Sequence, residues 1–302
     1  MASLCPIDFG LPTDKSAMAV RLGIERGIFA DEGIDLRIQV MFGGPLLAKA
    51  YDSGALSFGQ MGTPPAINAL ERGGRFRIVG GGLRRKAHMY LSVRTDIADF
   101  DGLKGGRIGL LSMGSCDEWF CRVLFQRAGL DPDADITFVP LGTDYPRTVE
   151  LIESGDLEAA LAIEPNVSIG EARGVLKMWK AVHEEPGLPP FQWIVRIANQ
   201  EMIEREPELV RAVLRGCRRS AHYAVSHAED WAEFMMERFG MAQPTAERVI
   251  ARELPHMHLD GEVDMAGIEA VIAIQREFGA IDGPLAAADI VDLRFLEPDG
   301  TA

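Results

Sequence analysis

The chain has 302 residues, 47% of them hydrophobic and 25% charged, with a formal net charge of -14. That is the composition of a folded globular protein long enough for two lobes of ordinary domain size, and its charge argues against a nucleic-acid or anionic-membrane partner, either of which needs a basic face. No apolar run reaches the roughly 20 residues that span a bilayer, so no membrane insertion is expected.

In chain order, residues 6–11 alternate as a first strand, and Pro12-Thr13-Asp14-Lys15-Ser16 leads into a helix over 17–26, with Gly27 at its end. Residues 34–42 form a second strand, which makes the unit β-α-β with parallel strands. Gly43-Gly44-Pro45 then opens a helix over 46–53, and a strand at 55–58 runs into Gly59-Gln60-Met61-Gly62, read as a tight turn. Thr63, as N-cap, and Pro64 and Pro65 start the next helix, followed by a strand at 75–80 and the break Gly80-Gly81-Gly82. The same grammar restarts at 90–93. It continues through a strand at 107–111, a helix at 115–128 with Ser115 as N-cap, strands at 136–139 and 157–163, and a helix at 147–153. Residues 191–197 are the last clear strand. Beyond 198 only helices are expected, at 207–226, 228–239, 244–252 and 265–278, apart from a short strand at 290–293, and this tail is read as packed on the first lobe.

This order gives an α/β chain in two lobes, each a mostly parallel sheet flanked by helices: residues 1–89 with 195–302, and residues 90–194. Three strand-to-helix tips, at Gly44, at Gly62 with Thr63, and at Ser115, lie where open α/β sheets bind ligands. Unpaired amides and the helix dipole at such tips favour a carboxylate, sulfonate or phosphate.

The four cysteines, Cys5, Cys116, Cys121 and Cys217, lack zinc-site spacing and are too few for a disulfide scaffold, so free thiols are expected. His256-Met257-His258 has chelating spacing without a third ligand nearby, so no metal and no cofactor is expected. Residues 1–10 carry neither a basic n-region nor a long apolar segment. The protein is therefore expected to be periplasmic if an export signal has been removed, and cytoplasmic otherwise.

The run Gly27-Ile28-Phe29, Glu32-Gly-Ile-Asp35, Gly43-Gly-Pro45, Ser53-Gly-Ala-Leu-Ser-Phe-Gly59, Thr63-Pro-Pro-Ala66, Asp101-Gly-Leu-Lys-Gly-Gly-Arg-Ile-Gly109, Glu153-Ser-Gly-Asp-Leu157 and Glu164-Pro165 resembles the substrate-binding proteins of nitrate, sulfonate and taurine ABC transporters. These are the NMT1/THI5-like group, with the type II periplasmic-binding-protein fold. The resemblance spans roughly residues 8–240, order and spacing carry it, and the wider group includes pyrimidine-precursor proteins and a few cytoplasmic enzymes. It implies a cleft between the lobes that closes over a small organic anion, and an ABC permease as partner.

Thr13, Asp14, Gly44, Pro45, Gln60, Gly62, Thr63, His88, Ser115 and Cys116 are the residues expected to line that cleft. Trp119 and Tyr145 are candidates to sandwich an organic moiety, with core packing the alternative, and Asn166 and Gln192 offer hydrogen bonds near the hinge. Arg84-Arg85-Lys86 either steers an anion or is a solvated loop. Cys116, in the first turn of a helix, keeps an enzyme reading open as a lyase or desulfinase nucleophile. The desulfinase of this fold carries its essential cysteine in the first-strand loop, where this chain has Asp14 or a neighbour. A packed thiol is the simpler account, and no catalytic residue is assigned.

Overall fold

The computed structural model describes residues 3–82, 88–185 and 190–296. Strand β1 (Cys5–Leu11) is followed by α1 (Met18–Glu25), α2 (Ile28–Asp31), β2 (Ile34–Val40), α3 (Gly44–Ser53), β3 (Phe58–Gly62), α4 (Thr63–Glu71) and β4 (Phe76–Gly81). Then come β5 (Tyr90–Arg94), β6 (Arg107–Leu110), α5 (Cys116–Arg127), β7 (Thr137–Pro140), α6 (Thr148–Glu153), β8 (Ala159–Ala162), α7 (Asn166–Ala172), β9 (Leu176–Ala181) and β10 (Ile194–Asn199). Helices α8 (Gln200–Arg205), α9 (Pro207–Ser226), α10 (Ala228–Phe239), α11 (Gln243–Glu253), α12 (Met265–Glu277) and α13 (Ala287–Ile290) complete the chain.

The strands form two five-stranded sheets, ordered β2-β1-β3-β10-β4 and β7-β6-β8-β5-β9. This is the two-lobed periplasmic-binding-protein-like fold. In the first sheet β1 runs parallel to β2 and β3, while β10 is antiparallel to both its neighbours. The second repeats the plan, with β6 parallel to β7 and β8 and β5 antiparallel to β8 and β9. In each sheet the antiparallel strand is the one the chain enters from the other lobe. The carboxyl ends of β1, β3, β6 and β8 are left to face the cleft, as open α/β sheets require.

Three local readings change. Gly59 and Gly62 belong to β3 and not to a turn. A Cβ on Gly59 would lie 2.2 Å from the Tyr51 hydroxyl and 2.4 Å from the Gly10 carbonyl, so glycine stands there for close approach. Strand β9, helix α7 and the short helices α2 and α8 carry too little periodic pattern to be read from the sequence, and the expected strand at 290–293 is reduced to a single bridge between Ile78 and Val291. The tail also does not rest on the first lobe alone. Helix α9 packs on α1, α10 on α9 and α11, but α11 crosses to pack on α7.

Candidate ligand-binding site

Between the lobes lies a cavity of about 180 Å³. Its wall is built where the parallel strands end: Pro12 and Thr13 after β1, Gly62 closing β3, Leu111 and Ser115 after β6, and Ile163, Glu164 and Pro165 after β8. Of the other residues named from the sequence, Gly44, Gln60, His88, Cys116 and Tyr145 also line it.

The loop after β1 is built to hold a cation in the cleft. The Ser16 hydroxyl donates to the Thr13 carbonyl at 2.9 Å, and the Arg21 guanidinium donates to the Ser16 carbonyl at 3.0 Å. Ala17 turns the backbone through the left-handed region, φ 56°, a conformation that costs a non-glycine residue about 1–2 kcal/mol. Lys15, which lines the cavity, reaches across to α7 and donates to Asn166 Oδ1 at 2.8 Å. Burial holds its ammonium below the ordinary lysine range, opposed by Asp14 and then Glu150. A second cation, Arg196 of β10, also faces the cavity and donates to Gln60 Oε1. The carboxylates of the wall already have partners. Asp117 accepts from the Leu111 amide and the Ser115 hydroxyl, Glu164 is bound to Arg252 at 2.6 Å, and Glu253 lies 3.1 Å from His88 Nδ1.

Several expected contacts are engaged elsewhere. The Thr63 amide donates to the Trp193 carbonyl at 2.8 Å and its hydroxyl to the Gln192 carbonyl at 2.6 Å, and Gly62, not Thr63, is the N-cap of α4. At the start of α5 Ser115 occupies the cap position without capping, and the Asp117 carboxyl takes the Leu111 amide and the Ser115 hydroxyl. Burial raises that carboxyl to about 7, against the hydrogen bond from the Leu111 amide. Two of the three expected anion tips are thus occupied by this chain's own groups. Asp14 sits beside Lys15 and Arg21 without reaching the wall, and Pro45 lies 3.4 Å from where a Cβ of Gly114 would stand, on the lobe boundary. Trp119 packs edge-on against Phe120 at 4.8 Å in the core, Asn166 serves Lys15, and Gln192 is fully buried, holding the Ile194 carbonyl and the Asp264 amide. Arg84-Arg85-Lys86 lies outside the described residues.

A scan of known families matches residues 16–230 to the one described as NMT1/THI5 like. The chain belongs to the NMT1/THI5-like family. Among curated proteins, this family member is 20% identical over 223 residues to a binding protein of Bacillus subtilis named YtlA, covering 72% of this chain and 66% of that one. It is 27% identical, also over 223 residues, to the 4-amino-5-hydroxymethyl-2-methylpyrimidine phosphate synthase of Candida albicans, covering 69% of this chain. The match spans 64% of the synthase, so in both cases just under two thirds of the relative's length is matched. Among solved structures, the alkanesulfonate-binding protein SsuA of Xanthomonas axonopodis pv. citri, bound to MOPS, superposes with a TM-score of 0.79. Identity there is 16%, over 96% of this chain and 98% of that one, a likeness of fold.

In this NMT1/THI5-like chain Cys116 faces the opposite lobe: a Cβ on Gly62 would lie 1.9 Å from its sulfur. Burial, and after it the Asp117 carboxyl, push its thiol well above the ordinary range. Such a thiol is a poor nucleophile. Native alkylation with iodoacetamide at pH 8, followed by peptide mass spectrometry, is expected to label the half-buried Cys5 and leave Cys116 intact. Fast, selective labelling of Cys116 would show a reactive thiolate. Among the polar and aromatic cavity residues that sequence reasoning passed over are Lys15, Arg196, Asp117, Trp193 and Glu253. Lys15 had a signal, since it stands beside Thr13 and Asp14 in the β1 loop. Arg196 reads as an ordinary strand residue until the sheet order brings β10 beside β3. Among the described residues no three of His, Cys, Asp or Glu are placed to hold a metal ion, and no helix is long and apolar enough to cross a membrane.

Proposed function

We propose that this protein is the substrate-binding component of an ABC-type importer, closing its lobes over a small organic anion, a sulfonate, carboxylate or heteroaromatic acid. The observation that carries the reading is a charge imbalance in the cavity. Lys15 and Arg196 are hydrogen-bonded only to neutral amide oxygens and, among the described residues, have no carboxylate within ion-pair distance. A partly buried cation with no carboxylate in hydrogen-bond contact is costly, and an acid in the cavity relieves two at once. The volume supports a ligand of about one ring with its acid group, since a cavity of about 150 Å³ takes benzene. The largely apolar remainder of the wall, with Tyr145 and Trp193, suits the ring. On this reading the protein works outside the cytoplasmic membrane and hands its ligand to a permease.

A thermal-shift panel of single-ring sulfonates and carboxylates, each beside its neutral sulfonamide or amide, tests this. An acid held at a hundred times its Kd adds about 2.7 kcal/mol to stability. That is several degrees in Tm for a chain of this size, and the neutral partners should give none. Equal shifts from acids and amides would sink the anion reading. Relationship to a synthase favours a second reading, an enzyme on the same fold. Chromatography of the same mixtures separates the two, because a binding protein returns its acid unchanged.

A further inference from the structure

Glu164 lines the cavity and is 6% exposed, so an ionised carboxylate there opposes the entry of an acid. The charge that answers it comes from the tail. Arg252 on α11 donates to Glu164 Oε1 at 2.6 Å, to the Ser168 hydroxyl at 3.1 Å and to Glu171 Oε2 at 2.8 Å. Glu164 also accepts from the Ser168 amide at 3.0 Å and the Ser168 hydroxyl at 2.8 Å. The guanidinium lies over the Tyr90 ring at 5.8 Å, and Arg248 reaches Glu171 at 3.4 Å. Helix α11 is anchored by α10, which packs on α9 and α1 beside the first sheet, whereas Glu164, Ser168 and Glu171 belong to the second lobe.

We propose that Arg252 is a positioning residue that sets the cavity's preference for acids: it cancels the Glu164 charge in the wall, and does so only while α11 rests on α7. This rests on the anion reading above. The groups around Glu164 are Arg252 and Ser168 in contact, with Glu171 sharing the guanidinium and Tyr90 beside it; around Tyr90 in turn stand Glu253, Glu184 and His183. Burial raises the Glu164 carboxyl above its ordinary value even with Arg252 in place. Without Arg252 it takes up a proton at higher pH still. Below that point the wall is neutral, and above it the wall repels an acid.

Calorimetry with benzenesulfonate and benzenesulfonamide, on the full chain from pH 5.5 to 8.5, tests the proposal. Asp117, titrating near about 7, and Lys15 affect parent and variants alike, so the readout is the ratio of variant to parent affinity at each pH. For Arg252→Met that ratio is expected to be nearest one at the acid end and to fall with rising pH, by about tenfold per unit at most, as one charge-neutralising proton is lost. The sulfonamide should show no such slope, and Arg252→Met with Glu164→Gln should restore the sulfonate ratio. If Arg252→Met does not fold, Glu164→Gln alone serves: removing the wall's carboxylate while Arg252 keeps its charge, now shared with Glu171 alone, should tighten sulfonate binding several-fold. A flat ratio in folded Arg252→Met, or unchanged or weaker sulfonate binding in Glu164→Gln, overturns the proposal. A parent that does not bind benzenesulfonate in preference to the sulfonamide overturns the anion reading itself, and this inference with it.

Discussion

Lys15→Met leaves the chain folded and lowers its affinity for the acid chosen by the thermal-shift panel by about tenfold to a hundredfold. The range follows from the loss of one hydrogen bond to a charged group, about 1.5–3 kcal/mol. Methionine keeps the length and apolar stem of the side chain, so packing changes little, and affinity for the neutral amide should hold. Asn166 loses its donor but stays at the start of α7. The pH profile gives a second readout. Because burial depresses the Lys15 pKa, the parent's affinity for an acid should fall with rising pH before the ordinary lysine range is reached, as the ammonium loses its proton. That limb should be missing from the variant. Calorimetry across pH decides it, and an unchanged affinity would remove Lys15 from the site.

Gly62→Val is expected to stop the lobes from closing. The Gly62 backbone is extended, φ -70° and ψ 148°, so valine meets no conformational penalty there. The obstacle lies across the cleft, where the new Cβ would stand 1.9 Å from Cys116 Sγ and 3.6 Å from its Cβ. Cysteine is too short to swing clear, and the lobes must part. Small-angle scattering with saturating acid should show the parent contract and Gly62→Val keep its larger radius of gyration, with affinity down by more than about a hundredfold because closure is part of binding. Adding Cys116→Gly should recover part of both. A folded Gly62→Val that contracts like the parent would show that the contact at Gly62 does not limit closure.

Much of the architecture was legible before any coordinates. Alternation at residues 34–40, the glycine-proline opening of α3 and the long amphipathic pattern of α9 are local signals, each written within one element. The glycine at 62 was visible too, but its reason was not. It reads as a backbone requirement, whereas it stands against the sulfur of a residue 54 positions along the chain, a contact no local pattern encodes. The same holds for Thr63 and Ser115. Each looks like part of a helix start offered to a ligand, and each turns out to satisfy this chain's own backbone.

The sequence by itself determined the two-lobed α/β plan, because periodicity, glycine and proline act over a few residues, and the order and spacing of its motifs carried the family resemblance. Tertiary structure alone decided which charges remain for a ligand. A lysine, an arginine or a glutamate is the same letter whether paired or not, and only folding shows that Arg252 crosses from the tail to answer Glu164 while Lys15 and Arg196 meet nothing but amide oxygens. The balance of a buried site is a sum over residues distant in sequence, and burial, which strengthens every uncompensated charge in it, exists only once the lobes are assembled.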